Sequence, residues 1–341
     1  PSAAPAEELH LHGKVDLTNA QYHAAPGVSK SQLDQIAISG LAYWDAYENP
    51  EREPQEQKHC FAVGDGTHKL VLEPGTFEQT YAVGFDKSAH PDALDLVADL
   101  KRECGARKLM ISGTKGELVD RLVNESDFPA SRIMLMLERH HNASMAGRIP
   151  IPAASYKNML GMLKAVTNHH TAGGLIEGAR VEESHFVSTD ADGNLIAHGD
   201  VLDARGIILR KCRPDIITAN GLVMPDLKTT DDVSEIAFGR TIAQRRYHVQ
   251  AAWYLDIMTL LYGEAAPRYF CFIAAQNRRP YDVAVHWLTD DHIAIGRALY
   301  QRDLARLIEC RNTNYWPGAD NGEVIQAMLP GWAMNGEPVY Q

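Results

Sequence analysis

Arg213-Pro214-Asp215 and Asp226-Leu227-Lys228 bracket a segment that leaves this chain few ways to fold. Between them, Ile216-Ile217-Thr218 and Leu222-Val223-Met224 flank Ala219-Asn220-Gly221. Two apolar runs around Asn-Gly predict strand, tight turn, strand, because Asn-Gly readily takes the positive φ angles of a hairpin. Such a hairpin folds two acids, eleven positions apart (226 − 215), toward each other. Alternation along the second strand puts Asp226 and Lys228 on one face. Two hard oxygen ligands with an ammonium held over them suit Mg²⁺-assisted attack of water on phosphate. An Asp-x-Lys triplet alone is common; the Pro-Asp, the Asn-Gly turn and the downstream Asp-x-Lys together carry the reading.

The 341 residues, 45% of them hydrophobic, can bury a substantial core in one large domain or two. No stretch approaches the roughly 20 continuous apolar residues that a membrane span needs. Residues 1–8 lack the basic-then-apolar order of a secretory signal. Cysteines at 60, 104, 212, 271 and 310 are odd in number and never closer than 39 positions (310 − 271), which argues against a disulfide framework or a cysteine-bound metal cluster. A reducing, cytoplasmic setting is expected. The net charge of −11 counts against a simple nucleic-acid-coating protein. It leaves room for a basic channel inside an acidic exterior.

Ser29, with Gln32 three positions on, forms a capping-box pattern that starts a helix. A second helix carries residues 61–72 and stops at Glu73-Pro74-Gly75; a helical stretch follows at 156–169. Strands are expected over 181–189 and 194–204, joined by Asp190-Ala191-Asp192-Gly193, then over 207–218 and 221–229. A long helix over 233–262, strands over 268–275 and 283–288, and a helix over 290–310 complete the chain. Strands flanked by helices predict an α/β layer structure.

Other residues could join the acids. Gly64-x-x-x-His68 lies on a predicted helix, where glycine permits close packing and a neutral imidazole four residues on can bind a metal. Glu182, Ser184 and Phe186 alternate onto one strand face while Glu183 points the other way, and the residues themselves leave the choice between the two glutamates open. Tyr247, Gln250 and Tyr254 share one face of the long helix, where an amide and a phenol could hold the lysine or a phosphate. Residues 94–122 read as two short helices around a turn. Leu100, the Gly105 break, Leu109, Ser112-Gly113-Thr114-Lys115 and Glu117-Leu118…Leu122 resemble a SAP motif, which implies DNA contact. Ser112 or Thr114 would cap its second helix and aim Lys115 at a phosphate.

Gly64-x-x-x-His68, Glu182-x-Ser184, Cys212-Arg213-Pro214-Asp215, Asp226-Leu227-Lys228-Thr229-Thr230 and Arg246-Tyr247-His248-Val249-Gln250-x-x-x-Tyr254 occur in this order. With them, residues 20–335 resemble the C-terminal nuclease domain of the exonuclease VIII (RecE) family, within the PD-(D/E)XK superfamily. The resemblance implies an α/β fold with a central mixed β-sheet flanked by helices. It divides the chain into a tail (1–20), a nuclease domain (21–335) and a SAP-like helical insert within it (92–124). It implies a Mg²⁺-dependent exonuclease, with Mn²⁺ as a substitute, that digests linear double-stranded DNA 5′ to 3′ and leaves 3′ single strands for an annealing partner. Asp215, Asp226, His68 and the Leu227 carbonyl would bind the metal, and Glu182 would bind it directly or through water. Lys228 would orient or help deprotonate the attacking water, and Gln250 and Tyr254 would position the lysine or the phosphate. Lys115, Arg246 and Tyr247 are the expected DNA contacts. A toroidal homotetramer is implied, and no membrane. An endonuclease tethered by the insert is the alternative, and a non-catalytic DNA-binding protein would require a broken metal site.

Overall fold

The computed structural model describes residues 11–52, 59–145, 147–190, 192–196 and 207–329. The chain begins with β1 (Gly13–Val15), α1 (Asn19–Ala24), α2 (Lys30–Ile38) and α3 (Gly40–Tyr47). The Gln32 side chain accepts the Ser29 N–H at 3.4 Å, so α2 starts where the capping pattern places it. Then come α4 (His59–Leu72), α5 (Pro74–Thr80) and β2 (Tyr81–Val83). Pro74 opens α5 in the first turn, where a missing N–H leaves no bond unmade.

Three helices, α6 (Val97–Ala106), α7 (Lys115–Asn124) and α8 (Met134–Ser144), follow. Leu100, Cys104, Leu118, Val119, Leu122, Phe128 and Ile133 form a core of their own. The expected helix–turn–helix is present, with Thr114 as the cap of α7. Its core continues past residue 124, because Phe128 and Ile133 cover the apolar edge that two ten-residue helices leave open. β3 (Ile149–Ile151) pairs in parallel with β2, and α9 (Ala153–Asn168) and α10 (His170–Ile176) lead into the strand-rich half.

That half contains β4 (Arg180–Val181), β5 (Ser184–Thr189), β6 (Ile208–Cys212), β7 (Ile216–Ile217) and β8 (Val223–Thr230). It continues through α11 (Glu235–Gln244), α12 (Tyr247–Tyr262), β9 (Tyr269–Gln276), β10 (Val283–Trp287) and α13 (Asp290–Thr313). β8 and β9 are parallel and β10 is antiparallel to β9, so the sheet is mixed; α11 and α12 form the crossover that parallel strands require. β1, β5 and β6 form a second, antiparallel ladder, and β4 pairs with β7. The expected strands over 181–189 and 207–218 are each interrupted. One breaks at Glu182, whose φ is 52°, and the other at Arg213-Pro214-Asp215, where proline has no N–H to donate. The strand expected over 194–204 falls mostly outside the described residues; its described part is a bridge between Thr189 and Leu195.

Two further expectations are corrected. Residues 13–15 are not a tail: Gly13, Lys14 and Val15 pair with Phe186, His185 and Ser184. The long helix over 233–262 is two helices, broken at Arg246, which adopts the left-handed conformation (φ 56°).

The β8–β9 sheet lies between two cores, and its alternation assigns the faces. Met224, Phe270, Phe272 and Ala274 face a cluster that includes Phe238, Trp253 and Ile257 of α11 and α12. Leu227, Ile273 and Ala275 face the other, with Leu70 of α4 and Met159 and Met162 of α9. Fully burying one such side chain contributes about 1.5–3 kcal/mol, so register is strongly held: a one-residue slip would turn Asp226 into the α4 core. Where α13 crosses α12, a Cβ on Gly296 would lie 2.2 Å from the His248 carbonyl oxygen, so only glycine permits that approach. Among the described residues no helix is long and apolar enough to cross a membrane.

Candidate metal centre

Thr218 to Val223 close the turn that joins β7 to β8. The Gly221 N–H donates to the Thr218 carbonyl at 2.8 Å, and only Gly221 of the Asn-Gly pair takes a positive φ. The turn sets Asp215, just before β7, beside β8: its Oδ2 accepts the Leu227 N–H at 2.9 Å. Residues 224, 226 and 228 share the face toward α12. There Asp226 Oδ1 accepts from Gln250 Nε2 at 2.5 Å, while its Oδ2 lies 2.5 Å from Lys228 Nζ. Asp226 is 1% exposed, and among the described residues Oδ2 has no other partner.

His68 arrives from α4 on the opposite face. Its Nε2 is 2.5 Å from the Leu227 carbonyl and its Nδ1 is 3.4 Å from Asp215 Oδ2. Burial, then the Lys228 charge, lower its pKa, so the ring is neutral. A carbonyl only accepts, so Nε2 carries the proton and Nδ1 turns its lone pair to the carboxylate. Two acceptors that close call for a proton or a cation between them.

The break at Glu182 settles which glutamate faces inward. Glu182 joins His68 and Asp215, with ligand atoms of the three within 4.8 Å of one another. Glu183 turns away to Lys14 (2.8 Å) and Arg180 (3.2 Å). Burial, then the charge of Asp215, pushes the Glu182 carboxyl up to about 7. Burial and the charge of Asp226 likewise raise Asp215. Burial opposes the Lys228 charge, but Asp226 and Asp215 more than offset it and its pKa is raised, so it stays an ammonium.

The residues present fit a divalent cation: a lone-pair nitrogen, two raised carboxyls and a buried carboxylate oxygen short of partners. The trio is His68, Glu182 and Asp215. Asp226, expected among the ligands, is held in this structure by Lys228 and Gln250, and the Leu227 carbonyl by His68.

Other expected residues separate. Gln250 holds Asp226, not the lysine, and Tyr254 lines the cavity of about 200 Å³ with His68, Glu182 and Asp215. The Tyr247 ring lies between two ammoniums, 4.9 Å from Lys228 and 5.7 Å from Lys30. Arg246 is committed to Asp34 and Asp303. Lys115, expected to face a phosphate, pairs instead with Asp95, and the Thr114 N–H is taken by the Glu117 carboxylate. Gly64 does not provide the expected close packing: a Cβ there meets nothing within 4 Å among the described residues, whereas one on Gly66 would sit 2.8 Å from Met159 Cε.

Sequence reasoning assigned Arg213 no role. Its Nε donates to Glu182 Oε2 at 2.8 Å, and its Nη1 to Ser184 Oγ at 2.5 Å and to the Leu17 carbonyl at 3.0 Å. One guanidinium thereby ties Glu182 to the segment carrying Asp215; adjacency to Pro214-Asp215 was the available signal. Arg213→Gln is expected to weaken Mn²⁺ binding by about 10- to 100-fold in titration calorimetry. Unchanged affinity in the folded variant would rule this positioning role out.

The description "PDDEXK-like domain of unknown function (DUF3799)" matches residues 29–327. No curated protein matches the sequence. A crystal structure described as "Putative exonuclease", from Eubacterium rectale, is 12% identical and superposes with a TM-score of 0.51, covering 94% of this chain and 99% of its own. Another solved structure, SSO0001, is 14% identical, with a TM-score of 0.25 over 62% of this chain and 86% of its own. The first likeness supports the fold; the second is too slight to carry weight.

Proposed function

We propose a nuclease function from this premise: the chain belongs to the family of PDDEXK-like domains matched over residues 29–327. The observation that carries the reading is the meeting of His68, Glu182 and Asp215 beside the buried Asp226–Lys228 pair. The reaction is Mg²⁺-dependent hydrolysis of phosphodiester bonds in linear double-stranded DNA from its ends, 5′ to 3′, with Mn²⁺ as a substitute. The order of motifs shared with the exonuclease VIII family supports that finer reading, along with a tetrameric ring and an annealing partner for the 3′ strand.

A bound divalent ion would supply a nucleophilic water near neutral pH and neutralise charge developing on the phosphate. His68, Glu182 and Asp215 would hold it, joined by Asp226 and the Leu227 carbonyl. Lys228, held as an ammonium by Asp226 and Asp215 in the metal-free chain, would orient or help deprotonate the attacking water. Gln250 fixes the Asp226 carboxylate, and Arg213 fixes Glu182.

The separate core of the 94–133 helices favours a second reading, an endonuclease tethered by that unit. Digestion of 5′-labelled and 3′-labelled linear duplex against a closed circle decides between them. The exonuclease reading expects 5′ label released first and the circle intact. Nicking of the circle would favour the endonuclease, and no digestion with Mg²⁺ or Mn²⁺ would overturn both.

A further inference from the structure

Lys157, Lys164, Arg278 and Arg279 are exposed, and among the described residues none has a carboxylate within 4 Å. On a chain of net charge −11, Lys115, Arg102, Arg107 and Arg139 are by contrast each paired with a carboxylate. Asp86 and Asp232 feel Lys157 and Arg278 only at longer range, and Asp282 turns its carboxylate back to the Val283 N–H at 2.8 Å.

Lys157, Lys164 and Arg279 line a groove of about 1000 Å³ between α9 and the β9–β10 connection. Lys157, Gly161, Lys164 and Asn168, at spacings of four, three and four, form one stripe along α9. Tyr281 makes the floor. A Cβ on Gly161 would lie 2.4 Å from its Cε2, so glycine lets the ring press against the helix, and its hydroxyl donates to Asn158 Oδ1 at 2.8 Å. Lys157 and Lys164 are seven residues apart, roughly 10 Å along the helix. One strand of a duplex presents about three phosphates over that length.

The groove adjoins the metal centre through the same elements. β8 and β9 run in register, with Lys228 beside Ala274 and Thr230 beside Gln276. The Asn277 N–H donates to the Thr230 carbonyl at 2.9 Å, so Arg278 and Arg279 emerge just beyond the strand that carries Asp226 and Lys228. On the other side α9 backs α4 at Gly66, two residues before His68.

We propose that this groove is a DNA-binding surface separate from the metal centre, holding the sugar–phosphate backbone of duplex DNA through Lys157, Lys164 and Arg279. The course of that duplex to the metal centre rests on the nuclease reading; the binding does not. The test is fluorescence anisotropy with a short blunt duplex in EDTA, comparing wild type with K157E/K164E and with K101E/K108E. Both variants shift the net charge by −4, and the control positions are exposed and unpaired residues of the helical insert. The groove variant should bind about 10- to 100-fold more weakly, and its plot of log affinity against log salt should be shallower by about 2, near 0.9 for each lost phosphate contact. The control should lose less, and melting temperatures confirm that each variant is folded. Equal losses, no loss, or a wild type that fails to bind without metal would each overturn the groove. Mg²⁺-dependent digestion by the wild type, measured separately, tells that outcome from failure of the nuclease reading.

Discussion

Asp226→Asn and Lys228→Ala are each expected to lower Mg²⁺-dependent digestion of linear duplex by at least about 10²–10³-fold while duplex binding in EDTA survives. Asp226 is wholly buried and its two oxygens divide between Gln250 and Lys228. Asparagine can keep the Gln250 bond but offers no charge to Lys228 or to a cation. Lys228→Ala acts from the other side: Asp226 and Asp215 lose the ammonium that offsets their repulsion. Removing one member of a buried pair typically costs about 3–5 kcal/mol, so the alanine variant should also melt earlier. Asp226→Asn keeps the shape but leaves the Lys228 ammonium without its partner, so both variants need a melting curve to tell a folding defect from a catalytic one. Undiminished digestion by either folded variant would remove these residues from the reaction.

What the sequence made legible at this site is what local periodicity controls. Alternation put Asp226 and Lys228 on one face, the Asn-Gly turn returned β8 past Asp215, and helical spacing grouped Tyr247, Gln250 and Tyr254. The partners were not legible. Gln250 meets Asp226 because the Met224–Asp226–Lys228 face of β8 happens to pack on α12, a tertiary choice. Glu182 is inward because a non-glycine residue adopts φ 52° between β4 and β5, and such a break leaves no reliable mark in sequence. The interruption at Arg246 is similar. No glycine or proline is present there; the left-handed turn coincides with ion pairs to Asp34 and Asp303, 212 and 57 residues away. Lys115 shows the converse: a capping pattern correctly located α7, yet the charge that looked free is taken by Asp95, outside the helix.

Mg²⁺ is expected to raise the melting temperature of the protein, and to raise it more at pH 8 than at pH 6. Glu182 ordinarily ionises near 4.5 and is pushed up to about 7 here, so between those values the folded chain holds a proton that the unfolded chain has lost. The stability this proton supports is fully present below about pH 4.5 and declines as pH rises through about 7. The full window is worth about 3 kcal/mol. Asp215 is shifted in the same direction, so the metal-free protein should lose stability across neutral pH. A divalent cation reverses the sign, since it binds the ionised carboxylates and must displace those protons; its affinity should rise with pH, up to about tenfold per unit for each proton released. Differential scanning calorimetry with and without Mg²⁺ across this range measures both slopes. Glu182→Gln should flatten the metal-free slope and reduce the gain from Mg²⁺, because it keeps the size of the side chain but cannot ionise. A Mg²⁺ effect independent of pH, or a metal-free protein that grows more stable from pH 6 to 8, would mean that these carboxyls do not compete with a cation for the same site.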